Sequence, residues 1–417
     1  MHRQRLRLAI FGASALALIS LTAAPAGASP TKSAKPSVAN VCGPAKAGFA
    51  RCFSQILLNP STWRGQHARK PGPPPGGGST TPSGYSPADL QSAYNLASAS
   101  SANGSGVTVA IVDAYSNPYL ASNLATYRTY FGLPPCTTAS GCLTIVNQAG
   151  GTKLPRGNSG WGTEEALDVE MVSAICPNCN VLVVEASSNS MSNLAAAAAY
   201  AGANAQVVSN SYGSSEFSAE TSYDPSYSGK GVTFVASSGD NGYGVEYPAA
   251  SPDVVAAGGT TLSGSSTSGW SQTAWSGAGS GCSAYEANPG WQPYTRTVCA
   301  DMRQVADTSA VADPNTGVAM YDTYGQSGWM VVGGTSVASP IIASVFALAN
   351  NDLGSKAAKQ LYSATGGLTT VNSGANAKNC TTYLCNASDS FTGFITGGAG
   401  VYNGPTGVGT PNGIAAF

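Results

Sequence analysis

Residues 330–350 read MVVGGTSVASPIIASVFALAN. Met330–Val332 has the apolar, β-branched character of a buried strand, Gly333 and Gly334 permit a tight turn, and Ile341–Asn350 is an apolar helix. Ser336 stands at that junction, at a helix N-terminus where backbone N–H groups are free to face an oxyanion. The same strand, turn and helix grammar extends outward along the chain. Val107–Val112, Val181–Glu185, Val207–Ser211, Val232–Ala236 and Val254–Ala257 read as buried strands, and Leu120–Tyr130, Glu164–Ala174, Ser192–Gly202 and Ser336–Asn350 as helices. Ser86-Pro87-Ala88-Asp89 supplies an N-cap, a first-turn proline and an acidic third position, opening a short helix toward Leu96. Buried strands alternating with helices predict an α/β fold: a doubly wound, mostly parallel sheet with helices on both faces and a site at the strands' C-terminal ends.

Composition narrows the function classes. With 19 Lys+Arg against 20 Asp+Glu in 417 residues and a net charge of -1, the chain lacks the basic surface that nucleic acid requires. His2, Arg3, Arg5 and Arg7 precede the apolar run Ala9–Ala24 and then Ala26-Gly27-Ala28, which predicts a signal peptide over residues 1–28. A secreted, extracellular protein without membrane contact after cleavage follows, since no other stretch is long and apolar enough to span a bilayer. Residues 29–84 read as a short pro-segment ending in the linker KPGPPPGGGSTTPSG (residues 70–84), and residues 85–417 as the folded body. The ten cysteines fall into close neighbours, Cys42/Cys52, Cys136/Cys142, Cys176/Cys179, Cys282/Cys299 and Cys380/Cys385, which suits five local disulfides. Cys176-Pro177-Asn178-Cys179 has neither a second such pair nor a nearby histidine, so a disulfide suits it better than zinc.

The chain has two histidines, His2 and His67, and neither lies in the body. A serine nucleophile there must take a carboxylate or a lysine as its base. Residues 160–171 (GWGTEEALDVEM) open a helix in which Glu164 and Asp168, four apart, share one face and can share a proton. Glu165 with Asp168 is an alternative pair, and a solvated first turn also favours acids through the helix dipole. Asp240, in SSGDNG (residues 237–242), follows a predicted strand where α/β sites lie, although the same residues are ordinary turn chemistry.

Together these residues resemble a known family. The sedolisins, or serine-carboxyl peptidases, are subtilisin-fold endopeptidases that replace histidine with glutamate and act in acid. The resemblance rests on Glu164 and Asp168, on Ser209-Asn210-Ser211-Tyr212-Gly213, on Ser238-Gly239-Asp240, on Tyr247–Pro252 running to Gly258–Leu262, and on Gly333–Pro340. It covers roughly residues 85–417, a domain-sized match. It implies Ser336 as nucleophile, Glu164 as general base, Asp168 as the acid that hydrogen-bonds and orients it, and Asp240 as the oxyanion residue, which donates only while protonated. The implied activity is that of a secreted, acid-active endopeptidase, monomeric, cutting protein or peptide substrates through an acyl-enzyme on Ser336. Asp113 resembles the position of a subtilisin catalytic aspartate and, with no histidine to orient, reads as structural or near the site.

Asp389–Gly393 and Tyr402–Gly409 resemble the family's calcium loop, implying Asp389, Ser390 and Asn403 as ligands of a structural calcium. Asn403 stands where the family usually has a second aspartate, which should weaken binding. Family members commonly carry a large folded propeptide, whereas only about 55 residues separate the expected signal cleavage from this body, near the lower limit for a stable domain. Ordinary autoinhibition by a folded prodomain is therefore not expected, and the Cys42/Cys52 segment is either a small pro-piece or a retained extension. The alternatives are a non-catalytic secreted relative acting as a binding or surface protein, and an esterase or amidase using the same carboxyls.

Overall fold

A computed structural model of the chain describes residues 37–66, 82–292, 296–392 and 401–417. The expected signal peptide, His67, most of the linker and Gly393 lie outside them. The β-branched runs form an eight-stranded sheet with the order Gly269–Ala274, Val254–Ser265, Thr233–Ser237, Val207–Asn210, Thr108–Ala114, Asn180–Ala186, Leu143–Asn147, and with Thr308–Val311 also pairing with Val254–Ser265. Every pairing is parallel except that between Val254–Ser265 and Gly269–Ala274.

Both faces are covered, which is why the strands read as continuous apolar runs. Val109 and Ile111 face a core shared with Leu167 and Met171 of the helix Ser159–Ile175 and Ile341 and Ile342 of the helix Thr335–Ala349. Ala110 and Val112, alternating to the opposite face, pack with Leu194 and Ala198 of the helix Met191–Asn204. Ser86 makes the expected capping box with Asp89, and all five local disulfides are present. No helix among the described residues is long and apolar enough to cross a membrane.

The strand that leads to Ser336 departs from the sequence reading. Gly328–Gly333 is not part of the parallel sheet: it pairs antiparallel with Val318–Asp322 on one side and with Gln55–Leu57 on the other. A short apolar run reports burial, not the identity of its partners, so the sequence pattern could not separate the two. Leu143–Asn147 is not evident from sequence because it is an edge strand in which only Leu143 and Val146 are buried. The run expected over Val207–Ser211 forks at its end. Val207–Asn210 stays in the sheet, while Tyr212–Ser215 joins a small antiparallel sheet between Arg51–Cys52 and Glu246–Tyr247. The site lies at this fork.

Candidate active site

The helix Ser159–Ile175 begins at Asn158, whose side chain accepts the Trp161 N–H, and every residue from Trp161 to Ile175 is buried. Burial is an uncommon fate for a segment containing Glu164, Glu165, Asp168 and Glu170, because acids are seldom fully covered unless paired. The two registers left open by spacing separate here. Glu164 turns toward Ser336, whereas Glu165 turns the other way and interacts with Glu185, a neighbour of Asp113 across the parallel strands.

Ser336 enters from Gly334, whose φ of +100° suits a residue without a side chain. A Cβ there would overlap the carbonyl oxygen of Phe53 and lie 2.7 Å from Asp240 Oδ2. Pro340, one turn beyond Ser336, has no N–H to offer the Ser336 carbonyl. Ser211 Oγ sits 3.4 Å from that carbonyl and donates across 2.9 Å to Asp168 Oδ1. Ser336 Oγ donates to the Ser211 carbonyl at 3.2 Å.

Glu164 Oε2 accepts the Ser54 N–H at 3.0 Å, while Oε1 is buried without a partner. Burial pushes this carboxyl up to about 7, against the lowering effect of the Ser336 hydroxyl and of Ser54. Asp168 is likewise fully buried and held well above the usual carboxylate range, first by burial and then by the charge of Glu164. The direct hydrogen bond expected between these two acids is not made: Asp168 accepts from Ser211, and its Oδ2 is free. Asp113 has neither oxygen bonded and is raised by burial and then by Asp168 and Glu164, so it stands beside the pair, as the near-site reading expected.

Asp240 approaches Ser336 from the loop after Thr233–Ser237. Its Oδ1 accepts two hydrogen bonds from Thr335, from N and from Oγ1, both at 2.8 Å. Oδ2 has no partner, and burial pushes the carboxyl up to about 8. With Oδ1 already accepting twice, a proton on this group belongs on Oδ2, which then is a donor aimed at the space beside Gly334.

Comparison with known proteins identifies the family. The family model of the subtilases matches residues 104–379. The chain belongs to the subtilase family. Its curated relatives are sedolisins, and the resemblance expected from sequence holds. Kumamolisin of Bacillus sp. (strain MN-32) is 29% identical over 312 residues, covering 66% of this chain and 54% of the relative. Sedolisin of Pseudomonas sp. (strain 101) is 37% identical over 164 residues, covering 32% of this chain and 27% of the relative. The chain thus spans about half of kumamolisin's length and less of sedolisin's. A structure of Pseudomonas sedolisin complexed with two molecules of pseudo-iodotyrostatin superposes with a TM-score of 0.62 at 24% identity, covering 80% of this chain and 96% of that one, which establishes the subtilisin-like fold.

The sequence reading missed three contributors: Thr335, which orients Asp240, Glu185, which takes up Glu165, and the backbone of Phe53 and Ser54. Thr335 adjoins Ser336 and Glu185 ends the strand read over Val181–Glu185; Phe53 and Ser54 carried no signal. The residues expected to hold calcium do not fit it in this arrangement. Asp389 is exposed and accepts from Asn386 Nδ2 at 2.9 Å. Asn403 is buried, with its amide donating to the Val371 carbonyl at 2.9 Å and to Ser390 Oγ at 3.4 Å, and its Oδ1 accepting from Thr406 N and Oγ1. A cation needs oxygens at its shell, and Asn403 presents N–H groups instead. Among the described residues no cluster of three His, Cys, Asp or Glu could hold a metal ion.

Proposed function

We propose that the chain is a secreted serine-carboxyl endopeptidase that cuts protein or peptide substrates in acid. The observation that carries this reading is that Ser336, Glu164 and Asp240 all face the backbone of the same two residues, Phe53 and Ser54. Phe53 N–H donates to Ser336 Oγ at 3.1 Å, Ser54 N–H donates to Glu164 Oε2, and the Phe53 carbonyl oxygen and Asp240 Oδ2 both border the spot that a Cβ on Gly334 would fill. Those are the three positions that acyl transfer needs: nucleophile, proton carrier at the leaving nitrogen, and donor at the carbonyl oxygen.

In the proposed reaction Ser336 Oγ adds to the carbonyl carbon as Glu164 takes its proton. Asp240, protonated on Oδ2, donates to the oxygen on which negative charge develops. Glu164 then delivers the proton to the leaving nitrogen, and water resolves the acyl-enzyme by the reverse exchange. Asp168 acts on Glu164 through charge, keeping the pair at one shared proton over the acidic range. Glu164 must be ionised to start the cycle and Asp240 must be protonated, which sets opposite limbs of a pH profile. Opening the cleft hydrates Glu164 and draws its pKa down from about 7, so the working range moves into acid.

The test is cleavage of casein or a quenched peptide by the secreted chain across pH, beside Ser336→Ala and Glu164→Ala. An optimum in acid, with each variant lower by about 10⁴-fold or more, is expected. Folded protein that cuts nothing at any pH, whether Phe53 and Ser54 are in place or displaced from Ser336, would move the reading to a non-catalytic binding protein.

A further inference from the structure

We propose that residues 38–57 are a tethered inhibitor laid into the catalytic cleft in the register of a substrate, so that the chain as folded is self-occluded. The inference rests on the peptidase reading of the same site and concerns its regulation. Arg51 and Cys52 pair antiparallel with Gly213 and Tyr212, and Gln55 and Ile56 pair antiparallel with Gly333 and Val332. The two residues between those ladders, Phe53 and Ser54, are therefore stretched across Ser336. Ala50 fixes the upstream end from the other side, donating to the Asn189 carbonyl at 2.8 Å and accepting from Asn189 Nδ2 at 2.7 Å. An extended strand bonded on both sides, with a peptide unit at the nucleophile, is the posture of a bound substrate. Phe53 completes it: its ring lies against Gly213, where a Cβ would come within 2.9 Å, and only 2% of the residue is exposed.

A substrate would be cut and would leave. This one is held on both sides of the Phe53–Ser54 bond. Upstream, Val38, Ala39 and Asn40 pair antiparallel with Leu57, Ile56 and Gln55, which are downstream of the bond, and Val41 N–H donates to the Ser54 carbonyl at 3.0 Å. The disulfide Cys42–Cys52 closes the loop between those upstream strands and Phe53. Attack of Ser336 Oγ on the Phe53 carbonyl carbon would break the bond to Ser54 N, with Glu164 carrying the proton from Ser336 to that nitrogen. The new amine, still zipped to the upstream arm, would remain beside the ester at high effective concentration. Its return to the carbonyl carbon passes the proton back through Glu164 to Ser336 and restores the peptide, so the segment stays in place as an inhibitor.

The experiment compares the full chain with Phe53→Asp, which sets a carboxylate beside Glu246, and with the Cys42→Ser, Cys52→Ser double variant, which loosens the staple. Two readouts are used: the rate at which a small fluorophosphonate labels Ser336, and hydrogen–deuterium exchange of residues 212–213 and 332–333 in a Ser336→Ala background. Labelling and peptide cleavage are expected to rise about tenfold or more in both variants, since the parent exposes only a minor open fraction. Exchange at the four amides is expected to quicken in parallel, and the disulfide-closed synthetic peptide 37–57, added in trans, should slow the variants again. Equal labelling and equal exchange in parent and variants would overturn the proposal. So would intact masses showing the Phe53–Ser54 bond quantitatively cut and residues 29–53 lost, which makes the segment a processed leader. Faster exchange in the variants without cleavage by any chain would uphold the occlusion and sink the peptidase reading instead.

Discussion

Two sets of buried charged groups flank the central sheet, and their bonding differs. Asp307 is fully buried and saturated: it accepts from Ala256 N at 2.8 Å, from Arg303 Nη1 at 2.8 Å and Nη2 at 2.6 Å, and from the Tyr362 hydroxyl at 2.9 Å. In the other set, Asp113 has both oxygens bare, and Glu164 and Asp168 have one each. A buried carboxylate matched to a guanidinium is a fixed charge that holds strands in place. Buried carboxyls set against each other persist only by keeping protons, and a retained proton is available for transfer. The contrast separates architecture from chemistry without reference to position in the fold.

The strongest way to break that contrast is a matched pair of substitutions. Asp307→Asn leaves the buried Arg303 charge unmatched and should cost about 3–5 kcal/mol of stability. Asp168→Asn removes a source of repulsion and should leave thermal unfolding unchanged or slightly later, while cleavage falls by about 10²-fold or more. Calorimetry and kcat/KM on both variants check this; equal destabilisation would erase the distinction.

The same cluster sets the direction of the pH dependence of stability. Unfolded carboxyls titrate near about 4, whereas burial holds Glu164 and Glu185 near about 7 and raises Asp113 and Asp168 as well. Between those values the folded chain binds protons that the unfolded chain has released, so the stabilising contribution of Glu164 and Glu185 is complete below about 4 and is lost as pH rises through about 7. Tm is expected to fall by several degrees between pH 4 and pH 8, and a Tm that rises over that interval would contradict the protonated cluster.

A finer cut falls inside the site. Asp240 is pushed up to about 8 and must carry its proton on Oδ2 to serve an oxyanion. Asn at this position keeps an Oδ1 for the two Thr335 donors and places an N–H₂ where the proton was. Asp240→Asn should therefore retain measurable cleavage and lose the alkaline limb that Asp240 sets, whereas Asp240→Ala should fall by about 10²–10³-fold at every pH. An unchanged alkaline limb in Asp240→Asn would assign that limb to another group.

Much of this was legible in the sequence because it depends on near neighbours. The four-residue spacing of Glu164 and Asp168 survives any packing of their helix, Gly334 marks the turn before Ser336, and each cysteine's partner lies within 17 positions. What stayed hidden depends on pairing across long separations. Phe53 meets Ser336 from 283 positions away and Ser54 meets Glu164 from 110, and the string RCFSQIL contains no residue whose chemistry announces a cleft. Met330–Val332 reads as a strand, but its sheet is hidden for the same reason: a run of apolar residues does not specify what lies beside it.

The smallest expected effect concerns Asn403, where the sequence resemblance and the packing disagree. Its amide donates to the Val371 carbonyl and its oxygen accepts from Thr406, so one neutral side chain satisfies groups of both signs. We propose that this amide braces the loop without a cation, and chelation should then leave Tm unchanged to within about 1 °C. Asn403→Asp turns the donor into an oxygen facing a carbonyl oxygen and should cost about 1 kcal/mol. Added calcium should recover that loss in the variant, because an acidic oxygen and a carbonyl are then directed at one point. A parent chain that loses many degrees to a chelator would show instead that Asp389 and Ser390 hold a metal with oxygens other than those of Asn403.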